Sequence, residues 1–144
     1  MSSLDLAELI RLYFERSGAL QSYWTLYVVI IGGLLAVASM RKRPAFVTTL
    51  LVTVLFSFFA YKNLDAIHDV ILQRSAILDA IARTPVTTPG EKLASELIVP
   101  TLVRPEYEGI RNFHAGCDVL TVLTLWAMEI RRRRTRAEKA RMDD

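Results

Sequence analysis

Four residues in the last apolar stretch of the chain have types and spacing that could do chemistry: Arg111, His114, Asp118 and Thr121. Steps of three and four place them on one helical face. A histidine four residues before an aspartate can serve as an oriented general base or as a link in a proton relay. Cys117 lies three residues from His114, a spacing at which a thiol could be activated as a nucleophile. The simpler chemistry is structural. In a helix interface, Arg111, His114 and Asp118 can neutralise and hydrogen-bond one another or groups on adjacent helices. No serine nucleophile motif, HExxH, glycine-rich phosphate loop or metal-ligand spacing accompanies them. No enzyme is therefore expected, and no catalytic, cofactor-binding or metal-ligating residue is assigned. A bis-histidine haem would need His68 and His114, the only two histidines, to converge, and their places along the helices match poorly.

The element carrying this stripe is Ile110 to Ile130, followed at once by Arg131, Arg132, Arg133 and Arg134. About 20 residues at ~1.5 Å each cross the hydrocarbon of a bilayer. An ionisable group facing lipid is costly, so the striped side must face protein or water. The rest of the chain fits the same setting. Of 144 residues, 52% are hydrophobic, and the mean hydropathy is +0.28, ordinary for a small polytopic membrane protein with polar ends. The pI near 9.2 does not point to nucleic acid, because the basic residues cluster at membrane exits. A single cysteine excludes an intramolecular disulfide.

From the amino terminus, residues 1–22 alternate Leu4, Leu6, Leu9, Ile10, Tyr13 and Phe14 with charged residues. This predicts an amphipathic helix ending near Ser17-Gly18, with Ser2 and Asp5 as a weak capping box. It is expected to lie in the interface or to pack on a neighbour. It lacks a basic start, so a cleaved signal peptide is not expected. Tyr23 to Met40 is the first span, with Tyr23, Trp24 and Tyr27 as an aromatic belt. Gly32, Gly33 and Ala36 give it a small-residue face suited to close helix packing. Arg41-Lys42-Arg43-Pro44 is a tight basic turn. Ala45 to Tyr61 is the second span, where Thr49, Thr53 and Ser57 recur every four residues. The pattern continues past the bilayer as Leu64, Ile67, Ile71 and Leu78, so Ala45 to about Thr84 reads as one long helix with a partner-facing amphipathic extension. Thr88-Pro89-Gly90-Glu91 starts a short helix to Val99. Tyr107 or Glu108 begins the third span, and Thr135 to Asp144 forms a fraying helical tail.

Charge sets the orientation. Residues 1–22 hold three acidic and two basic groups, and 62–109 hold seven acidic and five basic. The turn at 41–43 carries three positive charges, and 131–144 holds seven basic and three acidic groups. Positive charge stays cytoplasmic, so the amino terminus and 62–109 face outward and the carboxyl terminus faces the cytoplasm of a bacterial-type inner membrane. The predicted fold is all-α, a single three-span membrane domain over 1–144. Within it, 62–109 forms an extracytoplasmic helical subdomain, and an interfacial amphipathic helix precedes the first span. The expected partners are the bilayer, anionic headgroups at Arg131–Arg134, and copies of the chain or other membrane subunits. Two functions fit: a structural or accessory subunit, or a homo-oligomeric pore in which the Arg111, His114 and Asp118 stripe lines a hydrated path.

Overall fold

A computed structural model describes residues 5–143. In order they form α1 (Leu6–Met40), α2 (Phe46–Arg83), α3 (Pro89–Leu97), a 3-10 turn (Val99–Thr101) and α4 (Tyr107–Asp143), with no strand among the described residues. α1, α2 and α4 are each long and apolar enough to cross a membrane, as a multi-pass membrane protein requires. α2 is the single long helix expected from its periodicity.

α1 differs from expectation, because it runs unbroken through Ser17-Gly18. The Ser17 hydroxyl donates back to the Tyr13 carbonyl at 2.8 Å, within the helix. No described glycine has a positive φ, so Gly18 costs the helix only about 1 kcal/mol relative to alanine and does not end it. The cap also differs. Asp5 accepts the Glu8 N–H at 2.7 Å, at the third position of the helix, and Ser2 lies outside the described residues. α4 likewise continues through the arginine run to Asp143.

The described residues pack as two units, one holding those up to Trp24 with Asp65–Gly109, the other Thr25–Leu64 with those from Ile110. Asp65–Gly109 thus packs with the start of α1. In the first unit Leu6, Leu9, Ile10 and Ile81 form a buried core, flanked by Ile77, Ala94 and Leu102. The amphipathic start of α1 therefore spends its apolar face on the chain itself. Ile67 and Ile71 are buried, while Leu64 and Leu78 are only half-buried. At about 100° per residue Leu64 and Leu78 fall at one edge of the apolar stripe, whereas its centre runs through Val70, Ile77 and Ile81. Tyr13 donates to the Val103 carbonyl at 2.7 Å, and the Arg74 guanidinium lies over the Tyr13 ring at 4.6 Å.

α3 begins with a capping box. Thr88 accepts from the Glu91 N–H, while the Glu91 carboxylate accepts from the Thr87 and Thr88 N–H groups at 2.8 Å each. These hydrogen bonds, the one from the Thr87 backbone first, hold the Glu91 carboxyl down to about 2. A folded value below the ordinary one means that the box stabilises fully above about pH 4 and is lost as pH falls toward 2. The amide shifts of Thr87 and Thr88 are expected to titrate together near pH 2. A midpoint near 4 would show that the box is not formed.

In the second unit the ordinary arrangement of a soluble protein is inverted. Val28, Val29, Phe58, Leu120 and Leu123 each leave at least 60% of their surface uncovered. Thr49, Asn63, His114, Thr121 and Glu129 are buried. Lipid is the solvent in which apolar side chains face out and polar ones must pair inside.

Candidate functional site

Three helices of the second unit bring a polar cluster together. α1 contributes Tyr27, α2 contributes Asn63, and α4 contributes His114 and Asp118. His114 is 0% exposed and Tyr27 is 2% exposed. The Tyr27 hydroxyl donates to Asp118 Oδ1 at 2.7 Å and lies 3.2 Å from the His114 carbonyl. His114 Nδ1 is 3.0 Å from Asp118 Oδ2, and its Nε2 is 3.3 Å from Asn63 Nδ2. The Tyr27 and His114 rings lie face on face, with centroids 4.0 Å apart and planes tilted by 30°.

Hydrogen-bond chemistry fixes the roles. A carboxylate accepts, so Nδ1 carries the proton toward Asp118. Nε2 is then the acceptor, and the Asn63 amide supplies its donor. Both ring nitrogens and both Asp118 oxygens are engaged. A general base needs a free lone pair within reach of a substrate proton, and the Nε2 lone pair points at Asn63. The arrangement holds the His114 ring and the Asp118 carboxylate in fixed orientation.

The predicted stripe is brought together in part. Arg111 is exposed, with its guanidinium 3.4 Å from the Asn112 side-chain oxygen, and it does not join Asp118. Seven residues separate the two, about 10 Å of helix rise. Thr121 is buried, but its hydroxyl donates to the Cys117 carbonyl inside α4. The Cys117 thiol is free and half-buried, and His114 is engaged by Asp118 and Asn63 rather than paired with it. His68 lies against the Tyr107 ring at 4.3 Å. Among the described residues no three His, Cys, Asp or Glu side chains are grouped to hold a metal ion.

A second cluster lies farther along α4. Glu129 is 1% exposed. Its carboxylate accepts from the Ala45 N–H at 3.2 Å, the Thr49 hydroxyl at 3.4 Å and Arg133 Nε at 3.1 Å. It thus sits at the amino end of α2, where unpaired N–H groups and the helix dipole favour an anion. Arg133 also lies over the Phe46 ring at 4.9 Å. Arg132 donates to the Ala38 carbonyl near the end of α1. The arginine run is therefore not one uniform surface: Arg132 and Arg133 bond to other groups of the chain, although Arg133 stays exposed, as do Arg131 and Arg134.

The predicted packing faces also divide. Thr49 is buried, Thr53 half-buried and Ser57 exposed. The inward line of α2 runs instead through Phe56, Ala60 and Asn63. The Thr53 and Ser57 hydroxyls are spent on carbonyls four residues back. Gly32, Gly33 and Ala36 are exposed, and a side chain at either glycine would meet nothing within 4 Å. Among the described residues, this face is open at the two glycines.

Sequence reasoning missed Tyr27, Asn63 and Glu129. Tyr27 reads as an aromatic belt residue beside Tyr23 and Trp24, yet it is turned inward. Asn63 and Glu129 lie at the ends of apolar spans, where a polar residue is unremarkable. The line His114, Asp118, Thr121, Leu125, Glu129 carries the signal, because its spacing is helical to its end. Comparison with protein-family models, curated proteins and solved structures finds no match to this chain.

Proposed function

We propose that the chain is a small non-enzymatic membrane subunit, structural or accessory, that associates with copies of itself or with a larger membrane complex. One observation carries this reading. In the second unit Tyr27, Asn63, His114 and Glu129 find partners within one chain, while the small-residue face of α1 at Gly32, Gly33 and Ala36 stays exposed. Without a hydrophobic drive between helices in lipid, such faces are where backbones approach closely enough to associate. A pore would need water along His114 and Thr121, and both are buried in protein, which weighs against that alternative. The charge pattern supports an amino terminus outside and a carboxyl terminus in the cytoplasm of a bacterial-type inner membrane.

In bilayer nanodiscs, native mass measurement is expected to show multimers or a stable complex with another membrane subunit. Gly32→Leu combined with Ala36→Leu should reduce these to monomers without lowering thermal stability, because both sites are open in the single chain. Monomers from both proteins, with nothing co-purifying, contradict the proposal. For orientation, a cysteine replacing Thr87 should be labelled from outside, and a reporter after Asp144 should read as cytoplasmic. The same side for both overturns the orientation.

A further inference from the structure

A cleft of about 810 Å³ opens between the α1–α2 turn and the end of α4. One wall is Arg41-Lys42-Arg43, and the other includes Arg131, Arg132, Arg136 and Lys139. No acidic residue lines it. Two of these cations are used by the fold: Arg132 reaches the Ala38 carbonyl, and Arg41 reaches the Ala45 carbonyl at 3.4 Å. The side chains of the other five lie in the cleft with no hydrogen bond or ion pair among the described residues. Like charges held together this closely repel one another unless an anion sits between them.

We propose that this cleft binds a clustered-phosphate anion, namely the headgroup of a phospholipid that carries two phosphates. This goes beyond the accessory role and does not depend on self-association. One diester phosphate would offset one cation of five, whereas the volume accommodates more than one phosphate group. A narrow groove adjoins the cleft and shares Arg41 and Arg132 with it. It is lined by Leu34, Val37, Val52 and Leu125. Met40 and Val47, adjacent in sequence to lining residues Arg41 and Thr48, leave more than three-quarters of their surface uncovered. A free anion has no use for this apolar wall, but an acyl chain does. Basic clefts where spanning helices end are the setting in which such headgroups are recognised.

The test uses the full chain in detergent with a diphosphatidylglycerol lipid as probe, read by native mass measurement, and inorganic pyrophosphate as competitor. Arg43→Gln with Lys139→Gln removes one exposed cation from each wall. Retention of the lipid should fall about 30-fold, given the usual contribution of a cation beside a headgroup. Arg134→Gln with Arg141→Gln removes two exposed cations outside the cleft and should change retention less than about 3-fold. Pyrophosphate at equal concentration should not displace the lipid. Equal loss from the two pairs would mean diffuse attraction and overturn the site. Complete displacement by pyrophosphate would overturn the lipid as its occupant.

Discussion

Replacing Ile67 by aspartate is expected to unfold the first unit. Ile67 is 0% exposed, on the inward line of α2 that leads through Val70 and Ile71 to the Ile81 core. Leaving an unpaired carboxylate buried there costs several kcal/mol, beyond the ~2–5 kcal/mol of lost apolar packing. That sum rivals the whole stability of a small unit, ~5–15 kcal/mol. Asp69→Asn, two residues away on the exposed side, should stay within about 0.5 kcal/mol of the parent. Thermal unfolding of the detergent-purified protein, with trypsin cleavage after the partly buried Arg74 as a local probe, reads both. Equal tolerance of the two changes would mean that the extension is a solvated rod.

Asp118→Leu is the second change expected to be severe, and Asp118→Asn its mild counterpart. Leucine removes the acceptor of both the Tyr27 hydroxyl and the His114 ring. Tyr27 can turn to the His114 carbonyl 3.2 Å away, but the buried His114 Nδ1 loses the Asp118 oxygen it faces. That costs about 1–3 kcal/mol, on top of repacking a branched side chain beside the Tyr27 and His114 rings. Asparagine keeps the network. Its oxygen accepts from Nδ1, its amide donates to the Tyr27 oxygen, and Tyr27 donates to the His114 carbonyl. Asp118→Asn should therefore assemble and melt almost as the parent does, with unchanged ion flux in liposomes. Normal assembly of Asp118→Leu, or altered flux in Asp118→Asn, would place the stripe on water.

Much of this architecture is legible in the sequence, because a bilayer enforces a few strong rules. Apolar length gives the three spanning helices, and Pro85 and the Thr88 capping box fix the ends of α2 and α3 to within a few residues. The His114–Asp118 pairing follows from helical spacing alone. What spacing cannot give is the partner across the interface. Tyr27 has the composition of a belt residue, and only the approach of α4 turns it into the donor to Asp118. Glu129 reads as part of a charged helix end until the start of α2 is seen at its carboxylate. Arg111 is misplaced for the opposite reason, since a shared face does not shorten seven residues of rise. Ser17-Gly18 looks like a stop, but neither residue ends a helix whose backbone bonds continue past it.

His114 is closed off within one chain between Tyr27, Asn63 and Asp118, and its ring is expected to be dry. The histidine ring nitrogens report on it most directly, and with only two histidines His68→Gln leaves His114 as the sole signal. In bilayers, the nitrogen-15 spectrum of His68→Gln should show a protonated Nδ1 and an accepting Nε2, with the Nδ1 proton surviving transfer to deuterated water for hours. Immediate exchange of that proton, or a protonated Nε2 with Nδ1 free, would mean that water reaches His114 and that the cluster is not closed within one chain.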